Sequence, residues 1–292
     1  MKQINNNKWL MLAILSLIWG SAYILIKRGL VGLSPFQLGA FRIVFTMLVL
    51  LVIGFKALKS IKGKKTWFWL AMSGFLGTFF PAFLFPYAQT ELDSAITSIL
   101  NSIVPLFTLI FGVFMLGVMV KRNHIIGISI GFLGLFLLLV EKIDNGGQNY
   151  FFAGYVVIAT ACYAININIM KKYLQEVSPM GIAVANFIFI GPPALVAMYF
   201  SGFFELHLAT DQKVKTSILY VMLLAITSTA IAKVMFNRLV KMSSPVFASS
   251  VTYTIPIMGL IWGLLDNERI SLLQISAMGV ILVGVYMVNK RK

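Results

Sequence analysis

The sequence predicts an all-α membrane protein of ten transmembrane helices, arranged as two inverted five-helix repeats with both termini cytoplasmic. Three observations predict this class: the composition, the length of the apolar runs and the placement of the basic residues. The chain has 292 residues, of which 59% are hydrophobic and 11% are charged, whereas soluble domains are roughly 25% charged. The apolar runs are close to the ~20 residues that cross a bilayer as a helix, and the sequence lacks the short alternating strands of a membrane barrel.

Ten apolar runs follow one another along the chain. The first is interpreted as a retained span and not as a signal peptide, because it is long and ends at Lys27 and Arg28 without a small-residue cleavage site. Three later runs start at a Ser-Pro pair, at Ser34, Ser178 and Ser244, where the missing N–H of proline does no harm. The predicted spans cover residues 9–26, 35–55, 67–88, 94–119, 124–140, 151–170, 179–201, 217–239, 245–265 and 271–289.

The basic residues set the expected orientation. If the N-terminus is cytoplasmic, 16 of the 24 Lys and Arg residues lie in inside segments and 6 lie in outside segments. Cytoplasmic loops carry an excess of Lys and Arg, so we expect both termini to be cytoplasmic. The net charge of +15 therefore belongs to loops and does not indicate nucleic acid. No Asp or Glu falls within a predicted span, which argues against a carboxylate proton relay.

Two registers relate the halves of the chain. Shifted by 144 residues, Trp19, Lys27, Arg28, Ser34 and Pro35 fall on Tyr163, Lys171, Lys172, Ser178 and Pro179. Shifted by 151 residues, Thr78, Phe85, Ser98, Pro105, Leu109, Ile110 and Gly112 fall on Thr229, Phe236, Ser249, Pro256, Leu260, Ile261 and Gly263. The predicted repeats are residues 1–145 and 146–292 of one integral membrane domain. Because each holds five spans, the repeats lie in opposite orientations, as in transporters with a site at the bilayer midplane.

Short segments in a fixed order carry a family resemblance. They are Trp19-Gly20-Ser21, Arg42, Gly77 to Phe83, Ser244 to Ala248, Pro256 to Asp266, Glu268 to Ser271, and Gly279 to Tyr286. By their order and spacing the chain resembles the EamA-type transporters of the drug/metabolite transporter superfamily over nearly its full length. It departs from that pattern after the fourth span, where such proteins often carry Glu and this chain has Val120-Lys121-Arg122. The resemblance implies paired five-helix repeats that move small polar metabolites, frequently outward, by alternating access.

Polar residues follow one face of the fourth span and one face of the ninth. They recur at spacings of three and four, at Ser94, Thr97, Ser98, Asn101, Ser102, Pro105 and Thr108, and again at Ser249, Thr252, Tyr253 and Pro256. Hydroxyls in such stripes either join helices to each other or line a cavity. Asn101 and Tyr253 precede the paired prolines by about one turn, where carbonyls are freed, so we expect these two residues, with Thr252, to bind substrate.

Two cations, Lys233 and Arg42, lie deep within predicted spans, whereas Arg238 lies at the cytoplasmic end of its span. Lys233 either snorkels to the cytoplasmic interface or faces a central cavity, where it pairs with an anionic group of the substrate or changes protonation during the cycle. Its counterpart in the first half is Ala82, and this asymmetry favours a role for Lys233 in substrate binding. Arg42 is expected to brace helices by donating to freed carbonyls. Asn186 falls on Arg42 under the shift of 144 and is its predicted counterpart.

Aromatic and amide side chains complete the predicted site. Trp19 and Tyr23 in the first span, with Asn166 in the sixth, are expected to contact substrate, whereas Tyr87 and Gln89 are expected to form an outer gate. Pro105 and Pro256 are expected to be structural or gating residues. Small-residue faces in spans five and ten fit packing within a monomer, which we favour over a homodimer.

The leading hypothesis is a secondary transporter of small polar organic metabolites, amino acids or related compounds, that exports them. The chain has no G-x-x-x-x-G-K-[ST] loop for ATP, and no cofactor or metal is expected. A channel or scaffold is the alternative. An intramembrane enzyme is less favoured, because His124 and His207 fall in loops on opposite sides and no Ser–His or metal site is formed.

Overall fold

The fold is known from a computed structural model. It describes residues 7–119, 121–140, 150–207, 210–268 and 270–289, without the side chains of residues 135, 138–140, 253, 285, 288 and 289. Within these ranges every regular element is a helix, so the predicted all-α class is confirmed for the described part of the chain.

Each half is built from helices joined by short turns. The first half contains α1 (Lys8–Gly20), α2 (Ala22–Gly29), α3 (Pro35–Gly54), α4 (Lys64–Gly74), α5 (Phe80–Ala88), α6 (Ser94–Asn101), α7 (Val104–Leu116) and α8 (Arg122–Val140). The second contains α9 (Ala153–Tyr173), α10 (Pro179–Phe200), α11 (Gln212–Leu224), α12 (Ala232–Met242), α13 (Pro245–Ser249), α14 (Ile255–Leu265) and α15 (Leu272–Asn289). Two π-helical segments, Phe75–Phe79 and Ala225–Ile231, join α4 to α5 and α11 to α12.

Among the described residues, eight helical stretches are long and apolar enough to cross a membrane. They are Lys8–Gly29, Pro35–Ser60, Lys64–Ala88, Ser94–Leu116, Ala153–Tyr173, Pro179–Phe200, Gln212–Met242 and Pro245–Leu265. These stretches coincide with eight of the predicted spans. Helices α8 and α15 occupy the positions of the other two, and the apolar part of α15 is the shorter stretch Leu272–Gly284. The count of ten spans and the side of each terminus stay predictions.

The three Ser-Pro pairs begin helices, as predicted. The Ser34 hydroxyl accepts from Gln37 N at 3.2 Å, Ser178 from Gly181 N at 3.0 Å and Ser244 from Phe247 N at 3.2 Å. In each case the serine satisfies one of the free N–H groups of the first turn. At Ser34 the Gln37 side chain also accepts from the serine N–H at 2.9 Å, which completes a capping box.

The fourth and ninth spans are broken, which corrects the prediction of continuous helices over 94–119 and 245–265. Helix α6 ends at Asn101, and α7 begins at Val104 with Pro105 in its first turn. In the ninth span α13 passes through a 3-10 turn, Ser250–Tyr253, into α14, where Pro256 again lies in the first turn. Proline cannot supply the hydrogen bond of a helix interior, but it fits the start of a helix. Both prolines therefore begin a new helix instead of bending an old one.

Helices of the two halves pack against each other in matched pairs. Helix α3 packs against α10, α8 against α15, and α6 against α14, so spans two, five and four meet spans seven, ten and nine. The glycine faces of spans five and ten meet here, since a Cβ at Gly284 would lie 2.6 Å from the Gly127 carbonyl oxygen. Every residue of α6 is buried, so this helix has no lipid-facing side although half of its residues are apolar.

Candidate functional site

A cavity of about 100 Å³ lies where the two halves meet. A single water needs roughly 10–15 Å³ of such space, so the cavity has room for a small solute. The first half lines it with Trp19, Ala22, Tyr23, Ile26, Arg42, Gly77, Thr78, Ala82, Phe85, Asn101 and Val104. The second half lines it with Tyr163, Asn166, Ile167, Ser228, Thr229, Lys233, Phe236, Ser249, Val251, Thr252 and Ile255.

Most of these lining residues are related by the two sequence shifts. The shift of 151 pairs Gly77, Thr78, Ala82, Phe85, Asn101 and Val104 with Ser228, Thr229, Lys233, Phe236, Thr252 and Ile255. The shift of 144 pairs Trp19, Ala22 and Tyr23 with Tyr163, Asn166 and Ile167. Equivalent positions of the two halves therefore face one shared cavity.

Lys233 faces this cavity and is only 6% exposed. Its Nζ donates to the Gly77 carbonyl at 3.0 Å and to Thr78 Oγ1 at 2.9 Å. Both acceptors belong to the π-helical segment Phe75–Phe79 of the other half. The alternative that Lys233 snorkels to the interface is therefore wrong in this structure.

The chain offers Lys233 a free carbonyl for a local reason. Pro81 has no N–H, so the carbonyl four residues earlier, at Gly77, lacks its α-helical donor. A Cβ at Gly77 would lie 2.6 Å from the Asn166 amide carbon, well inside van der Waals contact. Glycine at this position therefore lets the π-helical segment approach Asn166 while its carbonyl turns toward Lys233.

Arg42 also lines the cavity, from α3. Its Nε donates to Thr229 Oγ1 at 2.8 Å, and this hydroxyl lies on the π-helical segment Ala225–Ile231. The expected bond to a freed carbonyl is thus replaced by a bond to a hydroxyl. Since Thr78 and Thr229 are equivalent under the shift of 151, each cavity cation is held by one member of a repeat-related threonine pair.

The cavity holds positive charge without a carboxylate. None of its described lining residues is Asp or Glu. An unpaired charge away from water is costly, and intramembrane charges normally find a partner. Arg42 and Lys233 therefore face the same cavity with no carboxylate among its described lining residues to pair with them.

The amide side chains occupy two layers. Asn166 lines the cavity, and its Oδ1 accepts from Ser73 Oγ at 2.6 Å. Asn186, the predicted counterpart of Arg42, lies behind this layer, 3.2 Å from Ser73 Oγ, and does not line the cavity. Asn101 lines the cavity and is 4% exposed, and its Oδ1 has no hydrogen-bond partner among the described residues. Asn101 thus has a buried amide oxygen without a described donor.

Aromatic rings form the wall between the polar groups. The Trp19 indole packs on Phe236 with ring centroids 5.0 Å apart, and its Nε1 donates to the Ser228 carbonyl at 2.9 Å. Tyr23 packs on Phe85 at 5.7 Å, and Phe85 on Tyr163 at 5.9 Å. Trp19 and Tyr23, which are expected to contact substrate, thus lie in the cavity wall.

Of the other predicted site residues, Thr252 lines the cavity, whereas Tyr87, Gln89, Pro105 and Pro256 do not. The Thr252 hydroxyl donates to the Ser249 carbonyl at 2.9 Å; the Tyr253 side chain lies outside the described residues. Tyr87 is 39% exposed, with its ring 6.1 Å from that of Tyr155. Gln89 is buried, and neither amide atom has a described partner.

Several cavity residues were not among the predicted site residues. The most informative are Thr78, Thr229, Phe85, Phe236 and Tyr163. A signal for them existed, because four of the five are residues that stay identical between the halves and the fifth falls on Trp19. Identity at matched positions of a duplicated chain is expected where both halves contact one cavity.

An ion cluster also went unpredicted, at one end of the helices. Lys27 Nζ lies 2.6 Å from Asp266 Oδ2 and 2.8 Å from Glu268 Oε1, and Arg28 pairs with Asp266. Glu268 also accepts from the Ser94 hydroxyl at 2.6 Å and from two N–H groups at the start of α6. The cluster therefore ties the end of α2 to the start of α6 and to the turn after α14.

The equivalent residues in the other half make neutral contacts. Lys171 donates to the Ser243 carbonyl at 2.8 Å, and Lys172 donates to the Met115 carbonyl. Under the two shifts Lys172 corresponds to Arg28, and Met115 corresponds to Asp266. The cluster of Lys27, Arg28, Asp266 and Glu268 is thus replaced at these equivalent positions by bonds from Lys171 and Lys172 to backbone carbonyls.

Relatives of the chain are named as transporters. An uncharacterized transporter of Archaeoglobus fulgidus is 24% identical, over 98% of this chain and 99% of its own length. The uncharacterized inner membrane transporter YedA of Escherichia coli is 25% identical, over 95% and 89%. A protein of Salmonella typhimurium named as a probable amino-acid metabolite efflux pump is 23% identical, over 92% and 90%.

A solved crystal structure has a similar fold, with a TM-score of 0.68 at 17% identity, over 96% of this chain and 95% of that one. The model of the EamA-like transporter family matches the chain twice, at residues 7–140 and 151–290. These two matches together cover nearly the whole sequence, and the match agrees with the resemblance carried by its short segments. The chain belongs to the EamA-like transporter family.

Proposed function

We propose that the chain is a secondary transporter that exports small polar organic metabolites, amino acids or related compounds, by alternating access through the cavity. The observation that carries this proposal is that both halves line one cavity, eleven residues each, with most positions matched by the two shifts. Inverted repeats around a site between them are a recurring transporter architecture, in which one half rocks against the other.

The proposal includes ten spans in two inverted repeats, residues 1–145 and 146–292, with both termini cytoplasmic. Four features support it. The π-helical segments fall on each other under the shift of 151, as do the breaks before α7 and α14. Repeat-equivalent helices pack together, α3 with α10 and α8 with α15. The family model matches each half separately.

In this proposal Lys233 binds an anionic group of the substrate. Its burial, its two hydrogen bonds to the opposite half and its place in a cavity without a described carboxylate support that role. The other proposed substrate contacts are Asn101, Trp19, Tyr23, Asn166, Thr252 and Tyr253. Arg42, Pro105, Pro256, Tyr87 and Gln89 are proposed to be structural or gating residues.

The substrate class and direction rest on a relative. The Salmonella protein named as a probable amino-acid metabolite efflux pump matches 92% of this chain, and its name supports amino acids and export. The name of the Escherichia coli relative supports the inner membrane of a prokaryote. We propose a monomer in the lipid bilayer, driven by an ion or substrate gradient.

Reconstitution tests the proposal against a channel. Purified protein in liposomes, preloaded with one unlabelled amino acid, is given labelled amino acids one at a time outside. A transporter gives saturable flux that unlabelled substrate competes with, whereas a channel gives ionic conductance that does not saturate. Empty liposomes are the control, and non-saturating conductance without competable flux contradicts the proposal.

A further inference from the structure

We propose that the cargo is a small dicarboxylate, and that Arg42 and Lys233 each bind one of its two carboxylates. This inference rests on the proposed transport function and narrows its substrate class. It concerns the charge of the cargo, which neither the family nor the names of the relatives specify.

The first support is the charge balance of the cavity. Two cationic side chains face it, and no Asp or Glu is among its described lining residues. A cargo without net charge, such as a neutral zwitterion, would leave one cation unpaired and would bring an ammonium group beside it. Like charges in a low dielectric repel strongly, so a cargo with two carboxylates matches this cavity better than one with a single carboxylate.

The second support is the donor count of each cation. A Lys ammonium has three donors, and the two bonds to Gly77 and Thr78 leave one free. An Arg guanidinium has five, and its only described hydrogen bond uses Nε, which leaves the terminal amino groups. These groups form the fork that binds a carboxylate through two parallel hydrogen bonds. Thr78 and Thr229 thus hold the cations in place while donors remain for cargo.

The third support is that the two cations come from different halves. Arg42 is on α3, and Lys233 is on α12. A cargo that neutralises both must bridge the repeats, so it stabilises the arrangement in which the repeats close around it. A second carboxylate lets one cargo pair with the cation of each half without sharing one acceptor group between them.

Asn101 indicates what else the cargo carries. Its Oδ1 is buried at the cavity and has no described partner, and a buried acceptor without a donor is costly. Rotation of the Asn101 amide toward the cavity would let this oxygen accept from an amino or hydroxyl substituent on the dicarboxylate. Acidic amino acids and hydroxy-dicarboxylates share this chemistry, and succinate, which lacks the donor, separates the contribution of Asn101 from that of the cations.

The test compares acids with their amides, which differ by one charge at nearly constant size, and malate with succinate, which differ by one hydroxyl. Binding to purified wild-type protein is measured by isothermal titration calorimetry for L-glutamate against L-glutamine, L-aspartate against L-asparagine, and L-malate against succinate. We expect each acid to bind at least about tenfold more tightly than its amide, because a charge-assisted hydrogen bond is lost. Malate should bind more tightly than succinate in wild type and equally in Asn101→Leu.

Variants test which residues make the protein prefer an acid over its amide. Lys233→Gln and Arg42→Gln should each reduce the preference for acid over amide to about twofold or less, whereas Lys215→Gln, an exposed cation on the same span, should keep it. The comparison of ligands on wild-type protein stays informative even if a variant fails to fold. Equal binding of acids and amides, no saturable binding of any acid at millimolar concentration, or a preference unchanged in both cavity variants overturns the inference.

The same ligands separate this inference from the proposed function. Saturable liposome flux of neutral amino acids, without preference for acids, overturns the dicarboxylate inference and leaves the transporter intact. Tight binding of acids without any flux supports the dicarboxylate site and contradicts transport.

Discussion

Lys233 Nζ donates to Thr78 Oγ1 at 2.9 Å, so the cation of one half is held by the threonine of the other. The reciprocal contact joins Arg42 of the first half to Thr229 of the second, at 2.8 Å. The two threonines are equivalent in the repeat, but the cations are not, because Ala82 stands opposite Lys233 and Asn186 stands opposite Arg42. The two threonines thus obey the repeat, whereas the two cations that they bind do not.

Replacing Lys233 tests its role in the cavity. Lys233→Met keeps an unbranched apolar stem but removes the charge and both hydrogen bonds, so we expect flux to fall at least about tenfold while membrane insertion persists. Liposome flux at matched protein content is the measurement, and Lys215→Met is the control. A rate within about twofold of wild type would show that the cavity role is wrong.

The threonine pair is expected to position the cations. Thr78→Val and Thr229→Val keep the side-chain shape and remove the hydroxyl, so each should weaken cargo binding by about 1 kcal/mol, or roughly fivefold. Titration calorimetry with the best cargo measures this loss. Thr216→Val is the control, because that hydroxyl bonds only within its own helix in the described structure, to the Gln212 carbonyl. Unchanged affinity in both cavity variants would contradict the positioning role.

Gly77 is expected to tolerate no side chain. In Gly77→Ala the new Cβ would overlap the Asn166 amide, so the π-helical segment must shift away from both Asn166 and Lys233. We expect the transport flux to drop at least about tenfold. The free energy of unfolding should fall by about 1–3 kcal/mol. Gly154→Ala is the matched control, since nothing described lies within 4 Å of its Cβ. Equal flux from the two variants would contradict the proposed packing.

The ion cluster is expected to stabilise the fold at its end of the helices. Glu268→Ala removes a buried carboxylate that accepts from Lys27, Ser94 and the N-terminal N–H groups of α6. Ser94 and the N–H groups lose their acceptor, and Lys27 keeps only Asp266, so the free energy of unfolding should fall by about 2–4 kcal/mol. The melting temperature in detergent measures this, with the exposed Glu205→Ala as control. A shift no larger than that of the control would mean that the cluster contributes little.

Helix positions were largely predictable, because membrane thickness fixes the length of apolar runs and Ser-Pro pairs mark helix starts. The broken helices at Pro105 and Pro256 were not predicted. The length of each apolar run predicts one continuous helix, with the proline in its interior, although the missing N–H of proline also suits the first turn of a new helix. Sequence periodicity alone cannot show that a helix has stopped one turn earlier.

The candidate site was partly predictable, because some of its residues are unusual within an apolar run. Lys233 stood out because a charge within an apolar run demands a partner, but its partner lies 155 residues away in sequence. The π-helical segment leaves no hydropathy signal, although Pro81, four residues after Gly77, marks a freed carbonyl. The bond between Lys27 and Glu268 spans 241 residues and depends on tertiary packing that local patterns do not encode.

Side-dependent labelling of two repeat-equivalent cavity positions tests alternating access most directly. Cys162 is the only cysteine of the chain, so Asn101→Cys and Thr252→Cys are each made with Cys162→Ala, and a membrane-impermeant thiol reagent is applied from either side of oriented vesicles. We expect both cysteines to react from one side without cargo, and from the other when cargo or a gradient is imposed. Reaction from the same side under every condition would contradict alternating access through this cavity.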